Sequence, residues 1–357
     1  MQAVTVRPGE RDSLRILDIP DVQRETGQVV LRVLQAGLCG TDAEITRGLY
    51  GEAPPGCPYL VLGHENLGLV ESAPGASLMS PGDLVVSTVR RPCPERCLPC
   101  RSGESDMCLT GHYRERGIQG LHGFMAERYA EDPQHLVGVP PHLRPAAILV
   151  EPMTVAQKAL EQTFRLQGRM SWAPRQAVVL GAGPVGILAA AAMRLRGLEV
   201  AVASREPEGS PRDALLREAG IRYVGTSQTP IQELPRRLGA IDLVLEATGA
   251  AAVIAPAMSI LGRDGVCVLA SVTEVGRPWE IDLGAWNRQM VLGNRLIFGT
   301  VNAGRDAFEG SIRDIGIFSQ RWPQAVRATI TGRFPMENYQ DLLVGRSSGI
   351  KNVITLN

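Results

Sequence analysis

The chain changes hydrophobic rhythm near Leu149. Before it, short β-rich runs (QAVTV from Gln2, VVLRVLQAG from Val29, NLGLVES from Asn66, GDLVVST from Gly82) are broken by turn chemistry in PPGCP, PGAS and SPGD. Short strands punctuated by Gly and Pro predict a compact barrel. After it, Glu151 to Leu160 has helical spacing, and Gln176 to Val268 alternates two kinds of segment. QAVVL, EVAVAS, AIDLVLEAT and GVCVLASV are near-continuous apolar runs bounded by Gly, as strands buried on both faces are. ILAAAAMRLRG and RDALLREAG between them have helical spacing. That is a βαβ series, hence a doubly wound parallel sheet. The last part of the chain loses the alternation and is expected to rejoin the first domain. The predicted organisation is α/β: a catalytic domain over 1–155 with a cysteine lobe at 90–110, a dinucleotide-binding domain over 156–300, and a return over 301–357.

Gly181-Ala-Gly183-Pro184-Val185-Gly186 follows QAVVL directly and opens an Ala-rich helical stretch. In this strand-turn-helix setting a GxGxxG pattern predicts a dinucleotide. The first glycine makes the turn, the second lets the backbone approach the pyrophosphate, and the third lets helix pack on strand. The helix N-terminus then offers N–H groups to the phosphates. About 20 residues on, where an NAD site carries Asp or Glu for the ribose, the second strand ends at Ser204 and Arg205. A small hydroxyl beside a guanidinium suits a 2′-phosphate, so NADP is the expected cofactor. Glu206 follows, and could neutralise Arg205 or serve NAD after a register shift, which leaves use of both cofactors open.

Cys93, Cys97, Cys100 and Cys108 are separated by three, two and seven residues. Such short gaps let one loop wrap a single ion, and four thiolates close a tetrahedron, which is the chemistry of a structural zinc. Arg90, Arg91 and Arg101 beside it read as a solvated rim, because too few basic and aromatic residues interleave for a nucleic-acid knuckle. Upstream, Cys39-Gly-Thr41-Asp42 and Gly63-His64-Glu65 offer a thiolate, an imidazole and carboxylates, a borderline-soft set that suits Zn²⁺. Cys39 and His64 lie too far apart for a zinc finger and must meet through folding, which suits an ion that serves chemistry. A buried thiol and an unrelated core histidine remain the alternative on these residues alone.

Composition narrows the picture. A length of 357 residues favours two domains, and a formal net charge of zero leaves no field to attract nucleic acid or anionic lipid. The N-terminal MQAVTVRPGERDSLRILDIP lacks an apolar signal core, and no apolar run approaches the ~20 residues of a membrane span. Seven cysteines, four of them clustered, point to reduced thiols and metal, hence to a cytoplasmic protein. Lys158 and Lys351 are its only lysines.

A barrel with an open metal site, a four-cysteine lobe, a GxGxxG sheet and a return segment, in that order, resembles the zinc-dependent medium-chain dehydrogenase/reductase superfamily over essentially the whole chain. Within it the chain is most similar to the glucose (aldose) 1-dehydrogenases. The motifs are Cys39-Gly-Thr-Asp-Ala-Glu44, Gly63-His-Glu65, the Arg-Arg before the cysteine lobe, Glu115-Arg-Gly-Ile118, Leu121-His-Gly-Phe-Met125, Glu151-Pro-Met153 and Thr300-Val-Asn302. Alcohol dehydrogenases of the superfamily usually place a second cysteine ligand where this chain has Glu151; the sugar enzymes place Glu or Gln there.

The resemblance implies a GroES-like barrel beside a Rossmann sheet, two zinc ions per chain, NADP or NAD, and a homo-oligomer, dimer or tetramer. It implies that Cys39, His64 and Glu65 hold the catalytic zinc, with Glu151 binding directly or through water. Thr41 would bridge the substrate oxygen and pass its proton outward. Glu115 would accept hydrogen bonds from sugar hydroxyls, and Asn302 would touch both nicotinamide and sugar. Thr248, Ser271, Thr300 and Val301 would join the glycine turn, Ser204 and Arg205 around the cofactor. Some members carry Asn before the double Arg and His on the segment before Val-Asn; this chain has Val89 and Leu292. Without the resemblance, Glu115 between Arg114 and Arg116 reads equally as a surface ion pair. Glu151 before Pro152 reads as a carboxylate favouring a helix dipole.

The implied reaction is oxidation of an aldose at C1 to the lactone, with hydride passing to NADP or NAD in a dry cleft between the domains. Two other readings stay open: a zinc polyol or secondary-alcohol dehydrogenase of the sorbitol or threonine type, and a non-catalytic NADPH-binding protein.

Overall fold

The computed structural model describes residues 1–75, 77–273, 276, 280–345 and 349–356. The chain divides into two units: residues 1–151, 302–316 and 330–357 form the first, and 152–301 with 317–329 the second.

The first unit is built on a seven-stranded sheet whose central strand, Val29–Gly37, lies between Glu65–Ser72 and the C-terminal strand Lys351–Thr355. Alternation in Val29–Gly37 is what allows this, with Val29, Leu31, Val33 and Ala36 fully buried. The C-terminal strand pairs antiparallel with it through Val353 and Gly37, and parallel with Ile330–Pro335. Two smaller three-stranded sheets accompany it. One joins Gln2–Val6, Arg15–Asp18 and Leu60–Val61; the other joins Arg90–Arg91, Arg114–Arg116 and Gly120–Leu121.

The second unit holds a six-stranded sheet in the order Arg222–Gly225, Glu199–Ser204, Gln176–Leu180, Ile241–Glu246, Leu261–Leu269, Leu296–Gly299, all parallel. This is the doubly wound order, and the near-continuous apolar runs are its strands. Their core includes Val178, Leu180, Ala201, Ala203, Val244 and Cys267. The helix Pro184–Leu195 is Ala-rich because every residue from Gly186 to Met193 is buried. Among the described residues no helix is long and apolar enough to cross a membrane.

Two expected boundaries move. The second unit begins at Pro152, not at 156, because the helix Val150–Gln167 is tied to that unit by its own side chains. Arg196 donates to Gln157 Oε1 at 2.8 Å, and Lys158 donates to the Val301 carbonyl at 2.8 Å. The return over 301–357 is interrupted by residues 317–329, which group with the second unit. There the helix Pro323–Thr329 packs on Pro211–Glu218, and Gln324 N donates to Glu218 Oε1 at 3.2 Å.

Candidate metal and cofactor sites

Cys39 is the residue before the helix Gly40–Thr46, in extended conformation, and its N–H donates to Asp42 Oδ2 at 2.9 Å. Asp42 is fully buried, and its Oδ1 lies 3.5 Å from His64 Nδ1. Neither atom has a hydrogen-bond partner among the described residues. With Nδ1 turned toward Asp42, Nε2 is the ring nitrogen that remains for another ligand, the arrangement of a metal-binding histidine with its supporting carboxylate. Burial would lower the His64 pKa, but Asp42 and Cys39 carry it well above the usual imidazole value.

Glu65 opens its strand directly opposite Gly37, where a side chain would put a Cβ 1.9 Å from Glu65 Oε2. Glycine at 37 thus makes room for the carboxylate. Lys351, the first residue of the C-terminal strand, donates to Glu65 Oε1 at 2.6 Å, Glu65 Oε2 at 2.7 Å and the Leu38 carbonyl at 2.8 Å. The ligand atoms of Cys39, His64 and Glu65 nonetheless all fall within 4.8 Å of one another. Folding has brought together residues distant in sequence, so the buried-thiol alternative fails. Glu151, partly buried, is pushed up to about 7 by burial and by the charges of Glu65 and Asp42, against His64 and Lys351. Three carboxyl groups, from Asp42, Glu65 and Glu151, and the Cys39 thiol gather around the Lys351 ammonium and the His64 ring, a donor-rich cluster that a divalent cation would suit. The donor set fits Zn²⁺. Thr41 lies in the first turn of the same helix, partly buried.

Arg90 and Arg91 are not a rim. Each is 5% exposed, and each guanidinium is paired with a buried carboxylate, Glu115 for Arg90 and Glu131 for Arg91. Arg101, on the lobe, is exposed. Glu115 is buried as well, and its partner is neither flanking arginine. Across the ladder from it, Arg90 donates from Nε to Glu115 Oε1 at 3.0 Å, and Asn302 Nδ2 donates to the same oxygen at 2.8 Å. Asn302 adopts a left-handed φ of 57° while its Oδ1 accepts the Ala303 N–H at 2.7 Å. Arg116 instead joins Arg91 on the buried Glu131.

The sulfurs of Cys93, Cys97, Cys100 and Cys108 also lie within 4.8 Å of one another, and all seven cysteines are free thiols. Cys97 and Cys108 Sγ are 3.8 Å apart. That matches the ~3.8 Å edge of a tetrahedron whose metal–sulfur bonds are about 2.3 Å. The residues fit a closed zinc site.

In the second unit Gly181 has a φ of +108°, and a Cβ on Gly186 would stand 2.0 Å from the Gly181 carbonyl oxygen. A Cβ on Gly183 would meet nothing within 4 Å, so that face of the turn, at the start of the helix carrying Pro184 and Val185, is open to a phosphate. Ser204 ends its strand and Arg205 is exposed. Glu206 does not neutralise Arg205; its carboxylate pairs with Arg212. Thr248 and Ser271 both donate their hydroxyls to the buried Glu246, whose carboxylate also takes the Thr248 N–H at 2.6 Å. Gly249 N donates to Ser271 Oγ at 2.8 Å, so Glu246 ties two loops beside the glycine turn. Thr300 Oγ1 is buried with no partner among the described residues, a polar atom that a bound cofactor would satisfy. Sequence reasoning gave Lys351 no role, read Arg90 as rim, counted Asp42 only among carboxylates near the metal, and did not single out Glu246. The one available signal was the scarcity of lysine.

Residues 144–356 match the glucose dehydrogenase C-terminus family, and residues 25–141 match the alcohol dehydrogenase GroES-like domain. The chain belongs to the glucose dehydrogenase family. Within the zinc-dependent medium-chain dehydrogenases, it is 40% identical to a glucose 1-dehydrogenase of Methanocella arvoryzae, covering 100% of this chain and 99% of that one. A glucose 1-dehydrogenase of Caldivirga maquilingensis is likewise 40% identical, over 100% and 99%. Among solved structures, Haloferax mediterranei glucose dehydrogenase in complex with NADP, Zn and gluconolactone is similar at 31% identity. It has a TM-score of 0.91 and covers 100% of this chain and 99% of that one. The family's architecture, a GroES-like barrel with a Rossmann sheet, is the one described above.

Proposed function

We propose that this protein is a zinc-dependent glucose 1-dehydrogenase, oxidising an aldose at C1 to the lactone and reducing NADP, with NAD as a second cofactor. The observation that carries the reading is the convergence of Cys39, His64 and Glu65 on one ligand-sized space. Bound there, a zinc ion would supply Lewis acidity to the C1 hydroxyl. Cys39 and His64 would hold it, Asp42 orients the His64 ring, and Glu151 adds a carboxyl group nearby. Lys351 neutralises Glu65, which would be the third protein ligand. Thr41 accepts the hydroxyl proton and passes it outward, and a bound nicotinamide would be the acceptor of the C1 hydride. Glu115 and Asn302 take the sugar hydroxyls, and a site that satisfies several hydroxyls rejects ligands lacking them.

In the second unit, the glycine turn from Gly181 to Gly186 receives the pyrophosphate. Arg205, left uncompensated by Glu206, supports a 2′-phosphate and so NADP over NAD. Thr248, Ser271, Thr300 and Val301 line the cofactor, the first two preset by Glu246. Cys93, Cys97, Cys100 and Cys108 hold the second, structural zinc. Seven free thiols support a reducing, cytoplasmic setting, and the edge strand Leu296–Gly299 supports a homo-oligomer.

The test is initial rates on glucose, galactose, xylose, sorbitol and ethanol with each cofactor, together with metal content. Lactone from aldoses and two zinc ions per chain are expected. Ketone from sorbitol without aldose turnover would assign a polyol dehydrogenase instead, and one zinc with no turnover a cofactor-binding protein. In Cys39→Ala, turnover is expected to vanish with one zinc lost and NADP binding kept; full activity in metal-stripped protein would sink the zinc role.

A further inference from the structure

We propose that Arg90 is a positioning residue for sugar binding: it locks one oxygen of Glu115 so that the other faces the substrate, and it anchors that lock in the four-cysteine lobe. This rests on the functional reading above, which gives Glu115 the sugar hydroxyls.

The geometry is specific. Glu115 Oε1 receives Arg90 Nε at 3.0 Å and Asn302 Nδ2 at 2.8 Å, and Arg90 Nη2 stands 3.0 Å from the same oxygen. Oε2 accepts no hydrogen bond from any described residue. Two hydrogen bonds and an ion-pair contact on one oxygen fix the rotation of the carboxylate and leave Oε2 as the acceptor for a hydroxyl. The third nitrogen of the guanidinium, Nη1, donates to the Asp106 carbonyl at 3.0 Å. Asp106 sits in the 3-10 turn Ser105–Met107, between the thiols of Cys100 and Cys108. The guanidinium carbon also lies 3.6 Å from the centre of the Tyr113 ring, just after the lobe. One planar group thus touches substrate-side carboxylate and lobe backbone at once, with its nitrogens fixed in a single plane, a geometry that a lysine ammonium does not reproduce. The cysteine lobe therefore has a part in sugar recognition, through Asp106 and Arg90, in addition to stability.

The experiment uses the zinc-loaded enzyme and its Arg90→Gln and Arg90→Lys variants. It measures KM and kcat for glucose, KM for NADP, thermal midpoint, and calorimetric binding of 1-deoxyglucose, which lacks the C1 hydroxyl. Arg90→Gln is expected to raise the glucose KM and the 1-deoxyglucose Kd together by about tenfold or more, with the NADP KM within about twofold. Arg90→Lys is expected to fall between. Should Arg90→Gln not fold, Arg90→Lys decides. A glucose KM within about twofold of the parent, or a loss spread evenly over both substrates with a lower midpoint, would overturn the proposal. Parent enzyme that oxidises no aldose would defeat the functional reading first; parent activity with unmoved variant KM defeats this proposal alone.

Discussion

The chain's two lysines, Lys158 and Lys351, are both buried, and each ends on oxygen atoms of a functional segment. Lys158 holds the Val301 carbonyl; Lys351 holds Glu65 and the carbonyl next to Cys39. Positive charge on the surface is arginine, so lysine is kept where a compact ammonium fits a closed space. Burial would lower the Lys351 pKa, but Glu65 and Cys39 raise it above the ordinary value, so the ion pair persists across the physiological range. Removing one member of a buried pair leaves a stranded charge. Lys351→Met should therefore destabilise the protein by about 3 kcal/mol in urea unfolding. Adding Glu65→Gln should recover part of that loss; no recovery would show that Lys351 acts elsewhere. Arg205→Ala should raise the KM for NADP about tenfold or more and leave NAD nearly unchanged. Equal changes would mean the 2′-phosphate is held by another group.

At the scale of elements, the short strands Arg90–Arg91 and Arg114–Arg116 carry a concentration of buried charge. Arg91 and Arg116 share Glu131, on the strand Arg128–Glu131, while Arg90 takes Glu115. Burial opposes ionisation of Glu131, yet Arg116 and Arg91 overcome it and hold its pKa down to about 2. A depressed carboxylate contributes stability that is complete above its unfolded pKa near 4.5 and is lost as pH falls toward about 2. Acid unfolding should thus steepen in that window, by up to about 3 kcal/mol for this group. Glu131→Gln should flatten it, and an unchanged acid limb would show that other carboxylates dominate. Sequence reasoning took the two arginines for a rim because a two-residue strand has no periodicity from which burial can be read. The long strands Val29–Gly37 and Gln176–Leu180 carry their own evidence, alternating in the first and continuous in the second.

At the scale of the whole molecule, the parallel sheet ends at Leu296–Gly299, which has a strand neighbour on one side only among the described residues. The helix before it, Leu283–Gly293, exposes Leu283, Val291 and Leu292. An open sheet edge beside apolar side chains suits pairing with a second copy. Val291→Glu with Leu292→Glu should convert an oligomer to monomer in sedimentation, with the zinc content of each chain retained. A parent protein that sediments as a monomer would refute this arrangement.

What the sequence determined by itself is whatever is local and periodic: the two hydrophobic rhythms, the glycine turn and its helix, and the short-spaced thiols of the lobe. Those features are set by neighbours a few residues apart, so linear order preserves them. Only the tertiary structure decided the partners of charge. Lys351 reaches Glu65 across 286 positions, Asn302 reaches Glu115 across 187, and Arg90 reaches Glu115 across 25. A carboxylate's role depends on which cation it meets once water is excluded, and that meeting is a property of the packed fold.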